Sequence, residues 1–257
     1  MGKPKPIEEV FGIFYSPLKV HSYNRTYNFS VGARSIGKST GWAIFLIYLY
    51  IKYGWEWVYV RRNADELQLT CKNWFDNAVQ ILRNAGYEIP DLIYQGGIYK
   101  IGGEVAGYAV PLSTEQKYKS TNFSKVHYVV YDEFLPRNGR YLGKAGSFAE
   151  VEAMESLYQT IDRGIGRPFR DETRVVFLGN AYSYYNPFFM QFSIDRSLRT
   201  DTKYLAPKNA EYVVEQTRET EATKEIKKSR AYKISSENTR QSAYENALRG
   251  ADGAFIE

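Results

Sequence analysis

Gly32, Ala33, Arg34, Ser35, Ile36, Gly37, Lys38, Ser39 and Thr40 fit the phosphate-loop pattern G-x-x-x-x-G-K-[ST] without a mismatch. The chemistry such a loop performs is capture of a nucleoside triphosphate. Its two glycines let the backbone curl so that successive N–H groups face one phosphate cluster, and the following helix adds its positive N-terminal end. Lys38 is expected on the β and γ phosphates and Ser39 on a magnesium ion. A second cluster lies further along, in VHYVVYDEF at residues 126–134. There Asp132 is the expected magnesium partner and Glu133 the group that polarises an attacking water.

Other polar residues also fall at the ends of apolar runs. Asn180 follows TRVVFLG, where it could sit beside the γ-phosphate or simply serve as a turn residue. Arg61 and Arg62 follow WVYV, where they could touch phosphate or DNA or be solvated strand ends. Arg163 ends a helical pattern before a glycine-rich stretch. An arginine there can reach across a subunit boundary to a transferring phosphoryl group, or it can neutralise the helix C-terminus.

The elements around these residues must place them together. Residues 26–31 (TYNFSV) read as a strand ending at the loop. Residues 41–53 (GWAIFLIYLYIKY) read as a buried helix stopped by Gly54. Strands are expected at 57–60, 126–131 and 173–178, and a helix at 150–162, where Val151, Met154, Leu157 and Ile161 recur at core-facing spacing. Asp132 and Glu133 then stand at a strand's C-terminal end, where open α/β sheets collect their ligands. The expected fold is α/β: a P-loop NTPase of the ASCE type, which pairs a glutamate with the metal-binding aspartate. It should have a mostly parallel sheet flanked by helices, with room for a modest appendage.

Composition sets the outer bounds. With 257 residues, 44% hydrophobic and 16% aromatic, the chain can bury a full core, and a disordered or fibrous chain is excluded. A net charge of +5 leans toward a polyanionic partner. A single cysteine, Cys71, permits no internal disulfide and points to a reducing compartment. His21 and His127 stand too far from it in sequence to suggest zinc. The apolar run 42–51 covers ten residues, half of the ~20 that a bilayer span needs, so it reads as a core helix rather than a membrane anchor. MGKPKPIEEV has no apolar signal core, and no secretion is implied. No Asn-Lys-x-Asp guanine-reading motif accompanies the loop, which argues for ATP over GTP.

Five stretches in order carry a more specific signal: SYNRTYNFSVGARSIGKS at 22–39, YVRR at 59–62, AGYAVPLS at 106–113, VVYDEF at 129–134 and LGNAYSYYNPFF at 178–189. Together they resemble the DNA-packaging ATPases, or encapsidation proteins, of phi29-type tailed phages, which are related to terminase large subunits. The resemblance implies an ATPase that uses ATP and Mg2+ and works in a homomeric ring, expected to be a pentamer. Its implied partners are double-stranded DNA, the procapsid and portal, and possible packaging RNA, with no membrane. The implied place is the host cytoplasm, on the assembling procapsid and not in the mature virion. By position, Lys38 and Ser39 are the phosphate-loop pair, Asp132 and Glu133 the metal and water-activating pair, and Arg34 a further phosphate contact. Arg163 falls where the family places an arginine given to a neighbouring subunit, and Lys119 where it has another basic residue between subunits. The segment GIGRPF after Arg163 is longer than the family's, so Arg167 or Arg170 could take the finger role instead.

Residues 1–204 are therefore expected to be the ATPase domain. Residues 205–257, with a helical stretch at 242–248, are the expected linker or subdomain leading to a C-terminal nuclease-like domain outside this chain. The charge run 215–230 (EQTRETEATKEIKKSR) reads as a solvated helix face, with a DNA or subunit contact as the alternative.

Overall fold

Strands of this chain sort their side chains by alternation onto two covered faces, and that alternation builds the fold. The computed structural model describes residues 3–144, 147–163, 172–199, 201–217, 220–237 and 240. In chain order the elements are α1 (Ile7–Val10), α2 (Leu18–Ser22), β1 (Tyr27–Gly32), α3 (Lys38–Tyr53), β2 (Glu56–Arg61), α4 (Ala64–Asn84), β3 (Leu92–Gln95), β4 (Ile98–Ile101) and β5 (Glu104–Pro111). After a short 3-10 segment, Leu112–Tyr118, come β6 (Val126–Asp132), α5 (Ala149–Ile161), β7 (Arg174–Asn180), α6 (Pro187–Gln191), β8 (Tyr204–Leu205), β9 (Tyr212–Thr217), α7 (Glu221–Lys228) and α8 (Arg230–Ile234).

Among the described residues the strands form one nine-stranded sheet in the order β3-β4-β5-β2-β6-β7-β1-β9-β8. The six from β5 to β9 in that order are mutually parallel, and antiparallel β3, β4 and β8 finish the edges. Trp57, Tyr59, Tyr128 and Val130 point to the face covered by α3 and α4. Val58, Val60, Val129 and Tyr131 point to the face covered by α5 and α6. A parallel sheet buried on both sides needs apolar residues at every position, which is why these strands read as unbroken hydrophobic runs.

Two features of the sheet position the site. β7 lies between β1 and β6, so the loop-bearing strand and the Asp132 strand are separated by one strand. In register, Gly32 stands opposite Asn180 and Asp132 opposite Leu178, which brings three strand ends flush at one edge. Helix α3 runs from Lys38 and ends on Gly54, whose φ of 70° gives the left-handed cap expected after the apolar run.

The charge run departs from its expected form. Glu215, Gln216 and Thr217 are buried in β9, which pairs along the whole of β1, and helix begins only at Glu221. The sheet thus continues past residue 204, and the proposed linker begins inside it. Polar side chains masked this strand in the sequence, because their buried partners come from distant segments. The helical stretch at 242–248 lies outside the described residues.

Candidate nucleotide-binding site

The phosphate loop is shaped by two left-handed residues. Gly37 has φ 83° and Ser35 φ 62°, and such turns direct neighbouring amides toward a common centre. Gly37 also caps α3, with no side chain taking up the helix's first N–H groups. These donors stay free for an anion, which the helix dipole also favours. Arg34, Ser35, Ile36, Gly37, Lys38, Ser39, Thr40, Asp132, Glu133, Leu178, Gly179 and Asn180 line a single cleft. Gly32 and Ala33 contribute from beneath, through their carbonyls.

Those carbonyls hold Lys38. Its Nζ donates to Gly32 O at 3.0 Å and Ala33 O at 2.8 Å, and the residue is 7% exposed. Burial pushes its pKa down to about 7, against the pull of the Asp132 and Glu215 carboxylates. Ser39 Oγ lies 3.1 Å from both carboxylate oxygens of Asp132. Burial raises the Asp132 pKa, while Arg61 and hydrogen bonds from Tyr59 and Ser39 oppose the shift. The hydroxyl and the carboxylate form a hard-oxygen pair of the kind magnesium takes alongside phosphate oxygens and water. Among the described residues there is no cluster of three His, Cys, Asp or Glu that could hold a metal by itself. A magnesium ion that arrives with phosphates does not need one.

Glu133 sits directly after the strand with φ 59°, a conformation that non-glycine residues adopt at a cost of order 1–3 kcal/mol. The turn throws its side chain into the cleft, where it remains 51% exposed. Arg61 Nη2 donates to its carboxylate at 2.8 Å. Asn180 reaches the rim from the end of β7 and is half-buried.

The two arginines after WVYV are not solvated strand ends. Arg61 and Arg62 are each 7% exposed. Arg61 bridges Asp132, Glu133 and Glu66. Arg62 donates to Glu150 from Nε at 2.8 Å and from Nη2 at 2.9 Å, and its Nη2 also reaches Phe134 O at 3.0 Å. A buried guanidinium must find anionic partners, and here the acids around the cleft supply them.

Glu150 was not legible as part of this arrangement. It is fully buried and also accepts from the Tyr131 hydroxyl at 2.6 Å and Leu142 N–H at 2.7 Å. The clue was an acid in the first turn of a helix that follows the Asp-Glu strand. Its four donors tie α5 to the turn after β2, to β6 and to the segment that follows Glu133. Glu150→Ala would leave Arg62 buried without its partner and should cost about 3–5 kcal/mol, read as a fall in the urea unfolding midpoint. An unchanged midpoint would contradict the buried pairing.

Arg163 and Lys119 are brought together, though not in this cleft. Both are exposed, and Arg163 Nη2 donates to Lys119 O at 2.5 Å at the end of α5. Neither lines the nucleotide cleft of its own chain. Arg167 and Arg170 lie outside the described residues.

Residues 11–257 match the model of a family described as podovirus DNA encapsidation protein (Gp16). The chain belongs to this family. Within the Gp16 encapsidation family, the DNA packaging protein of Bacillus phage phi29 is 37% identical over 186 residues, covering 71% of this chain and 51% of that protein. The chain thus spans about half the length of the curated relatives it matches. The crystal structure of the N-terminal domain of the phi29 DNA packaging ATPase superposes with a TM-score of 0.68 at 32% identity, covering 80% of this chain and 97% of that one. A Thermus phage P74-26 large terminase ATPase domain matches with a TM-score of 0.56 at 11% identity, covering 92% and 95%. This last likeness is one of fold.

Proposed function

We propose that this chain is the ATP-hydrolysing part of a phage genome-packaging motor, converting ATP and water to ADP and phosphate to move double-stranded DNA into a procapsid. The observation that carries the reading is the meeting of Lys38, the Ser39–Asp132 pair and Glu133 at one cleft, in a chain whose relatives are named DNA packaging proteins. Loop amides and the α3 N-terminus hold the phosphates, and Lys38 exchanges its two carbonyl partners for phosphate oxygens. Ser39 and Asp132 would hold magnesium, which supplies charge neutralisation on the transferring phosphoryl group. Glu133 takes the proton of the attacking water, and Arg61 keeps its carboxylate aimed. Asn180, at the end of the strand between β1 and β6, stands where release of the γ-phosphate would be felt.

Arg163 and Lys119, exposed and adjacent, serve a neighbouring subunit's site in a homomeric ring, expected to be a pentamer. DNA is held through its backbone without regard to sequence. The portal, with a packaging RNA as a possible docking partner, completes the assembly on the procapsid in the host cytoplasm. The test is steady-state ATP hydrolysis by the purified chain with and without magnesium and with and without double-stranded DNA. Magnesium-dependent turnover that rises with DNA is expected. Transfer of the γ-phosphate to a small-molecule hydroxyl instead of water would replace this reading with a phosphotransferase.

A further inference from the structure

The phosphate loop is braced from behind by a segment that none of the roles above uses. Phe14 and Tyr15 lie across its outer side. Tyr15 N–H donates to Ile36 O at 3.0 Å, inside the loop. A Cβ on Gly41 would come within 2.0 Å of Tyr15 O, and a Cβ on Gly37 within 2.8 Å of the Phe14 ring. The approach of this segment therefore requires a glycine at 41, and together with a φ of 83° it favours one at 37.

The side chain of Tyr15 then ties the segment to the sheet. Its hydroxyl donates to Glu215 Oε2 at 2.6 Å and lies 2.9 Å from Ser30 Oγ. Because the tyrosine O–H points at the carboxylate, the serine hydroxyl is the donor in the second contact. Ser30 and Glu215 face each other across β1 and β9, and they are 0% and 4% exposed. A buried carboxylate at the strand edge under the loop is costly unless it is paired. Tyr15, Tyr204, Lys203 and Lys38 are the groups that offset this cost.

We infer that Tyr15 and Glu215 are a positioning pair for nucleotide binding: their contact locks the 14–15 segment against the phosphate loop and holds the loop's shape for the triphosphate. The inference rests on the reading of the cleft as an ATP site. Neither residue touches the reacting atoms, so the pair acts on affinity and not on the chemical step.

Tyr15→Phe, Glu215→Met and the double variant test it, each measured for Mg-ATP affinity by calorimetry, for KM and kcat, and for melting temperature, beside wild type and Lys38→Ala. Each single variant should weaken affinity and raise KM by roughly ten-fold, with kcat changed less than about two-fold. The double variant should lose no more than Glu215→Met alone, because that variant already removes the Tyr15 contact. Unchanged affinity in both single variants, additive losses, or a lowered melting temperature with KM unchanged would each overturn the pair's role. Wild-type protein that fails to bind Mg-ATP, or Lys38→Ala that binds it normally, would overturn the ATP reading itself and the inference with it.

Discussion

Glu133→Gln should lower ATP turnover by a factor on the order of 10²–10⁴ while Mg-ATP affinity stays within about three-fold of the wild-type value. The expectation follows from where the side chain stands. Glu133 is held at φ 59°, 51% exposed to the cleft, and its carboxylate contacts Arg61 rather than the loop that would hold phosphate. Glutamine has the same shape, keeps an oxygen for Arg61 and removes only the basicity that a water's proton requires. Because binding draws on the loop, Lys38 and the Ser39–Asp132 pair, it should survive. Steady-state hydrolysis paired with a direct binding measurement separates the two effects. Normal turnover would remove Glu133 from the hydrolytic role, and joint loss of turnover and binding would make it part of the nucleotide's seat.

Lys38 should make nucleotide affinity depend on pH, with binding weakening as pH rises above about 7. In the ligand-free cleft burial holds its pKa near 7. Phosphate oxygens favour the charged form and return the pKa toward the ordinary value near 10.4. Between those values the bound state carries the proton and the free state does not. Binding therefore takes up as much as one proton, and affinity falls by up to about ten-fold per pH unit across the window. Calorimetry at pH 8 in buffers of different ionisation heat measures this uptake, well above the phosphate's own titration near pH ~6. Lys38→Met should abolish the uptake and most of the affinity. For folding the sign reverses. The unfolded chain keeps the proton to higher pH, so the ligand-free protein gains stability from this group as pH rises from about 7 toward 10.4. Proton uptake of zero in the wild type would mean that Lys38 is already charged between its two carbonyls.

How far the site could be read in advance depended on whether a residue's role is local. The phosphate loop and its flanking strand and helix were legible, because G-x-x-x-x-G-K-[ST] is a backbone shape written in contiguous residues. So was the Asp132-Glu133 strand end, from an apolar run followed by two acids. Arg61 and Arg62 were not legible in role: nothing in YVRR says that one guanidinium meets Asp132 and Glu133 while the next meets Glu150. Glu150 itself looked like an ordinary first-turn acid. Glu215 was hidden more deeply, inside a run of charges that resembles a solvated helix until β9 pairs with β1.

The sequence by itself pointed to the lineage and to the proposed chemistry: a phosphate-loop pattern, an Asp-Glu pair at a strand end, and five ordered stretches that resemble the encapsidation ATPases. These are encoded in short contiguous segments whose local conformation suffices. Only the tertiary structure decided which charges are buried partners and which remain free at the surface. It sank Arg61, Arg62, Glu150 and Glu215 into the protein and left Arg163 and Lys119 outside. The physical reason is desolvation. A charged side chain is tolerated in the interior only where segments far apart in the chain deliver its partners, and that meeting is a property of the sheet order and not of any window of sequence.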